Sequence, residues 1–184
     1  MIYDVSQILR DGMPGYPGDP PVKIREIFTV AKEGFSLRQM ELTTHTGTHA
    51  DFPRHFYSGG VSQSETDLSI FFGKVQVAES FEDTLHPGIL RFFAKNGHLS
   101  LARAQELHAE GVRLIGTVFD SIDLDYPYPV HEFLLGNDII ILENLVLSGM
   151  APGEYHLAAF PLNIEGADGA PVRAVLMDDL CGGG

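Results

Sequence analysis

Ser100-Leu101-Ala102-Arg103-Ala104-Gln105-Glu106-Leu107-His108-Ala109-Glu110-Gly111 runs directly into Val112-Arg113-Leu114-Ile115-Gly116-Thr117-Val118-Phe119, and the apolar period changes at the join. In the first half Leu101, Ala104 and Leu107 recur at helical spacing, Ser100 offers a hydroxyl to the first free N–H groups, and Gly111 supplies a stop. In the second half apolar residues follow one another, as in a strand buried on both faces. A helix that delivers the chain straight into a buried strand is half of a crossover, which predicts an α/β or α+β domain on a mixed sheet. Further strands gather around it. Lys23–Val30 and Phe35–Leu42 predict a hairpin punctuated by Gly34, Lys74–Ala78 alternates Val75 and Val77 with polar neighbours, and Asp138–Leu142 is a buried run too short for a helix. Tyr155–Ile164 and Pro171–Met177 predict a closing pair around a turn at Glu165–Ala170, while Met13–Pro21 is a stiff proline- and glycine-rich loop. No linker, charge block or repeat divides residues 1–184, so one domain is expected.

Twelve Lys and Arg stand against 25 Asp and Glu, a net charge of −13, and 44% of the 184 residues are apolar, enough for a core without staples. So acidic a surface repels phosphate backbones and anionic lipid, which argues against nucleic-acid and membrane partners and for a small-molecule ligand. The single cysteine, Cys181, excludes an internal disulfide framework or a Cys-rich zinc module, and no role is assigned to it. No apolar run approaches the ~20 residues of a membrane span, and Met1-Ile2-Tyr3-Asp4 lacks the basic start of a secretion signal, so a cytoplasmic location is expected.

Chemistry concentrates in Thr44-His45-Thr46-Gly47-Thr48-His49-Ala50-Asp51-Phe52-Pro53-Arg54-His55, which holds three of the eight histidines. Gly47 between β-branched Thr46 and Thr48, with Pro53 close behind, is poor helix material. Read as an extended strand, His45, Gly47, His49 and Asp51 share one side, and the glycine leaves space between two imidazoles. Two histidines and a carboxylate with an open position suit a hydrolytic metal centre; the alternative is a set of exposed or core-satisfied histidines. Glu143 ends the apolar run Ile139–Leu142, where a buried acid needs a partner, unless it is an exposed carboxylate beside Asn144. His86, His98, His108 and His156 read as structural, and Asp120, Asp123 and Asp125 either line a site or form a solvated acidic loop.

The stretch His45–His55 resembles the His-x-Gly-Thr-His-x-Asp-x-Pro-x-His signature of the metal-dependent cyclase family, which includes the bacterial-type kynurenine formamidases (arylformamidases) and isatin hydrolase. Tyr16-Pro17-Gly18-Asp19 resembles that family's N-terminal loop. Val130-His131-Glu132-Phe133-Leu134-Leu135 and Ile140-Ile141-Leu142-Glu143-Asn144-Leu145 resemble its second metal-binding stretch, and Ala170-Pro171-Val172-Arg173-Ala174 its ending. The resemblance implies two divalent ions, zinc first with manganese or iron as alternatives. His45, His49 and Asp51 match ligands of the first ion, and Asp51 reaches the second as well. His131 matches a ligand of the second, Glu143 the carboxylate bridging both, and His55 the catalytic proton-transfer residue. It further implies a swivelling β/β/α-type fold, a homodimer or homotetramer, and hydrolysis of a C–N amide bond, foremost an aryl formamide such as N-formylkynurenine. Hydrolysis of a cyclic amide, imide or lactone, a cyclisation, or a non-catalytic metal-binding domain stand as alternatives. The family's substrate-contacting loop tryptophan is missing; the chain has no Trp, and Tyr16 takes its place as the substrate-binding candidate. Phe52, of opposite parity to the ligands, is expected to pack behind the site.

Overall fold

The computed structural model describes residues 1–178, so Cys181 lies outside the described residues. The strands are β1 (Ile2–Asp4), β2 (Lys23–Phe28), β3 (Leu37–Glu41), β4 (His49–Asp51), β5 (Phe72–Ser80), β6 (Arg91–Asn96), β7 (Leu114–Thr117), β8 (Ile140–Glu143), β9 (Gly153–Ala158), β10 (Gly169–Pro171) and β11 (Val175–Met177). Three α-helices accompany them: α1 (Val30–Glu33), α2 (Leu101–Ala109) and α3 (Pro129–Gly136). Nine strands form one mixed sheet in the order β1-β11-β9-β5-β6-β7-β8-β4-β10. Its centre, β5 to β8, is parallel, and both flanks are antiparallel. The α/β class expected from residues 100–119 is what the structure contains.

The change of period at Gly111 is where α2 hands over to β7. The Ser100 side chain accepts from the backbone N–H of Arg103, and Ala104 and Leu107 are fully buried. Alternation along the central strands then splits the core into two layers. Phe93, Leu114, Ile140 and Leu142 face one cluster; Phe92, Ile115, Ile139 and Ile141 face the other, under α2 and α3.

Register decides where the site falls. His49 pairs with Glu143, Ala50 with Leu142 and Asp51 with Ile141. His49, Asp51 and Glu143 therefore share the face of Ile141, the one α3 covers, while Ala50 and Leu142 join the opposite core. Phe52 lies in that opposite core too, its ring 6.1 Å from Phe71, behind the site as its parity required.

Three expectations need correction. His45 and Gly47 are not on the strand: β4 begins at His49, and Gly47 sits in a turn with φ of 63°. A Cβ at Gly47 would come within 2.6 Å of Leu9 Cδ2, so this glycine serves a tight turn and not an opening between imidazoles. Second, the structure adds β6 and α3 to the expected elements. In β6 the apolar Phe92-Phe93-Ala94 lies within a short segment between Gly88 and Gly97. In α3 Pro129 stands at the first helical position and Val130, His131, Leu134 and Leu135 are buried at helical spacing. Third, the closing pair is shorter than expected: β9 stops at Ala158, and Pro171–Met177 divides into β10 against β4 and β11 against β9.

The predicted hairpin is present and stands apart, as a two-stranded sheet joined by α1 and closed by Gly34 in the left-handed region. Ile27, Phe28, Phe35, Leu37 and Met40 are exposed on it.

Candidate metal centre and active site

Each ligand candidate is delivered by a different constraint. Strand geometry sets His49 and Asp51 two residues apart on one face of β4, and β8 brings Glu143 opposite. The turn at Gly47 swings His45 back over the same face, and α3 presents His131 from above. Asp51 Oδ1 lies 2.8 Å from His45 Nδ1 and 3.2 Å from His49 Nε2, while its Oδ2 lies 3.5 Å from His131 Nε2. Glu143 repeats the division, with Oε2 3.6 Å from His49 Nε2 and Oε1 3.2 Å from His131 Nε2. Both carboxylates thus turn one oxygen toward His49 and the other toward His131. Three candidate ion-holding groups result among the described residues, His45 with His49 and Asp51, Asp51 with His131 and Glu143, and, toward solvent, His45 with His55 and Asp168, each with donor atoms within 4.8 Å of one another.

Neighbouring groups aim the imidazoles. His49 Nδ1 donates to the Gly47 carbonyl at 2.7 Å, which leaves Nε2 to face the carboxylates. His131 Nδ1 meets Asp123 Oδ2 at 2.7 Å, and that carboxylate also accepts from the backbone N–H of Val130 and His131. Asp123 therefore both orients His131 and satisfies the free N–H groups at the start of α3, where Tyr128 gives no side-chain cap. Of the three candidate aspartates, Asp123 backs a histidine, Asp120 lines the cavity and Asp125 does neither.

Asp168, in the turn before β10, completes the cluster without a signal of its own in the sequence. It faces His45 Nε2 at 3.0 Å and His55 Nδ1 at 3.3 Å. Asp168 lies more than a hundred residues from either histidine in the chain, so no spacing could reveal it; only the antiparallel pairing of β10 with β4 does. His55 follows Pro53 on a short 3-10 turn, at the solvent side of the cluster, its ring 4.1 Å from that of His45. His86, His98, His108 and His156 belong to none of the candidate ion-holding groups among the described residues. His86 pairs with Glu154, His98 stacks on Phe119, and His108 meets the edge of Phe133.

The electrostatics fit a cation. Asp51 and Glu143 are 1% and 3% exposed, and no lysine or arginine among the described residues lines the cavity; the imidazoles face both acids, and Glu143 Oε1 also accepts from the backbone N–H of Ile122 at 2.7 Å. Burial, and then the Asp51 charge, push the Glu143 carboxyl up. Burial would raise Asp51 too, but His49, His131 and His45 hold it well below the usual carboxylate range. Burial alone would lower His45 and His131; Asp51 and Asp168 outweigh it to hold His45 at about 9, and Asp123, Asp51 and Glu143 hold His131 at about 11. His55 goes the other way, lowered by burial and by the neighbouring His45. Two buried acids on a shared face with no fixed cation are a donor set for divalent ions, and histidine-plus-carboxylate ligation suits the borderline metals.

The cluster floors a cavity of about 520 Å³. Its wall is Met13, Pro14, Gly15 and Tyr16 from the stiff loop, with Phe56 and Tyr128 opposite. The Tyr16 and Tyr128 hydroxyls lie 3.2 Å apart, and that contact, with burial, pushes the Tyr16 phenol up to about 12. The structure thus places all seven singled-out residues (His45, His49, Asp51, His55, His131, Glu143 and Tyr16) around one cavity.

A mixed sheet with a paired carboxylate–histidine cluster at its edge defines a metal-binding enzyme class, and comparison with known proteins narrows it. The family model for the cyclases matches residues 3–89. The chain is 36% identical to the kynurenine formamidase of Geobacillus thermodenitrificans, over 94% of this chain and 95% of that protein. It is 30% identical to the kynurenine formamidase of Maricaulis maris, over 96% and 98% of the two chains. Its fold is that of isatin hydrolase A from Ralstonia solanacearum, with a TM-score of 0.83 and 20% identity, covering 97% of this chain and 92% of that one. The chain belongs to the cyclase family of metal-dependent hydrolases, among the relatives of the kynurenine formamidases.

Proposed function

We propose that this protein is a metal-dependent amidohydrolase that cleaves the C–N bond of an aryl formamide, N-formylkynurenine or a close analogue. The observation that carries the reading is the division of Asp51 and Glu143, each with one oxygen toward His49 and one toward His131, at the floor of an aromatic-walled cavity. Curated relatives of at least 30% identity over nearly the whole chain are kynurenine formamidases. His45, His49 and Asp51 would hold one ion and Asp51 and His131 the second, with Glu143 shared between them, zinc the metal proposed and manganese or iron as substitutes. Divalent ions bound there supply Lewis acidity toward the formyl oxygen and a nucleophilic water at neutral pH.

The chain's own residues do the rest. His55 Nδ1 is occupied by Asp168, so Nε2 is the atom that takes a proton from water and passes it to the leaving aryl nitrogen. With water's oxygen added to the formyl carbon, the C–N bond breaks and formate and an arylamine leave. Tyr16, Tyr128 and Phe56 give a flat ring something to stack on.

Self-association through the hairpin is part of the proposal, as a homodimer or homotetramer. Residues 23–41 hold four of the twelve basic residues and three of the 25 acids, so this apolar arm suits the acidic body of a second copy. No helix among the described residues is long and apolar enough to cross a membrane, and a cytoplasmic location is proposed.

The test is a panel of aryl formamides, a cyclic imide, a lactam and a lactone given to purified zinc-loaded protein. Formate release from the formamides is expected. Ring opening with the formamides untouched would reassign the substrate and leave the hydrolase.

A further inference from the structure

We propose that Asp168 is a positioning residue shared by the proton-transfer histidine and a metal ligand, so that one carboxylate oxygen sets both on the open side of the site. The proposal rests on the formamide-hydrolase reading above for its rate measurements only. Asp168 Oδ2 lies 3.0 Å from His45 Nε2 and 3.3 Å from His55 Nδ1, and Oδ1 accepts from the Thr44 hydroxyl at 3.0 Å. An ionised carboxylate only accepts, so both imidazoles must donate to it. His55 is thereby fixed as the Nδ1–H form, with Nε2 left as the proton acceptor. His45 keeps its proton on Nε2, which leaves Nδ1, 2.8 Å from Asp51, as the ligating atom. One charge fixes two tautomers.

The backbone around Asp168 is built to the same end. The Asp168 carbonyl accepts from the Phe52 N–H at 3.0 Å, and Gly169 pairs with Asp51 in the β10–β4 register, so the carboxylate is held in step with the strand that carries the ligands. Gly169 has no room for a side chain, because a Cβ there would lie 2.5 Å from His45 Cε1 and 2.8 Å from its Nε2. Asp168-Gly169 is thus a seat: the glycine admits the imidazole and the carboxylate turns it. Asp123 divides its carboxylate between His131 and two backbone N–H groups of α3, whereas the side chains that meet Asp168 are Thr44 and two site histidines.

Asp168→Asn keeps the shape and removes the charge. Its zinc affinity, measured by competition with a chromophoric chelator, is expected to fall about 10–100-fold. At saturating zinc, kcat is expected to fall about 10–100-fold with KM within about twofold, because the loss is in proton transfer and not in substrate binding. In a His55→Ala background the kcat loss from Asp168→Asn should nearly vanish while the affinity loss stays. Imidazole ¹⁵N shifts should show His55 as the Nδ1–H form in the parent protein and not in the variant. The chelator and ¹⁵N measurements need no substrate, so they decide the proposal even if no formamide is hydrolysed. Unchanged zinc affinity together with an unchanged His55 tautomer overturns it, as does an equal kcat loss with and without His55. Should Asp168→Asn fail to fold, Thr44→Val releases only the other carboxylate oxygen, and smaller shifts in the same two readouts are expected; no shift in either would overturn the proposal.

Discussion

The two sides of the site solve the same problem differently. On the closed side, Asp123 backs a single histidine, His131, and spends its remaining capacity on two backbone N–H groups of α3. On the open side, Asp168 backs two histidines and touches solvent, with 41% of its side chain exposed. Rigidity is invested where an ion must be held, and access where a proton must move. The His131 ring is 7% exposed and stacks on Phe56, whereas His55 is 32% exposed at the cavity mouth. His131, Glu143 and Asp123 thus form an anchoring half, and His45, His55 and Asp168 a working half.

His55→Ala breaks the comparison most sharply. Because its ring lies outside both donor groups that contain Asp51, turnover should fall about 10²–10⁴-fold while bound metal, read by elemental analysis, is kept. Near-normal activity, or loss of all metal, would remove the working half. Asp123→Asn is next. It should weaken metal binding about 10–100-fold and, by loosening the start of α3, lower stability by about 1 kcal/mol, seen as a reduced melting temperature. Asp168→Asn, in contrast, should leave melting nearly unchanged, and equal melting shifts in the two variants would erase the contrast drawn between the sides.

A third consequence concerns protons. His45 is held at about 9 and His131 at about 11, both above neutrality, so at pH 7 each carries a proton that an incoming ion must displace. Zinc added to apo protein in weak buffer should release protons, and apparent affinity should rise with pH. Calorimetry in buffers of different ionisation heat measures this directly; no released protons would mean that these imidazoles are not ligands. The smallest effect is expected at the wall. Losing the Tyr16 ring by Tyr16→Ala should cost ~0.5–1.5 kcal/mol of stacking, a few-fold to about tenfold in KM, with kcat little changed. A large kcat loss instead would move Tyr16 from the wall to the chemistry.

What was legible in the amino-acid sequence followed from local spacing. His45, His49, Asp51 and His55 lie within eleven residues, and Glu143 betrays itself by ending an apolar strand. The join at Gly111 discloses the αβ crossover because the helical and strand periods of the sequence meet there, with only residues 110–113 between α2 and β7. Gly47 misleads because glycine marks both open space and a left-handed turn, and only the backbone distinguishes them. Asp168 had no signal of its own: an aspartate between Ala167 and Gly169 reads as a turn until β10 is laid beside β4. In the sequence α3 shows first as a histidine-bearing motif, although Pro129 at its start and Asn137 at its end bracket a helix.

The central claim is that Asp51 and Glu143 hold two ions between the anchoring and working halves, and that hydrolysis needs both. It is tested most directly by titrating zinc into metal-free protein while recording bound zinc per chain and formate release from N-formylkynurenine together. Turnover is predicted to appear as the second equivalent binds and to level off at two ions per chain. Full turnover at one ion or none would contradict the account.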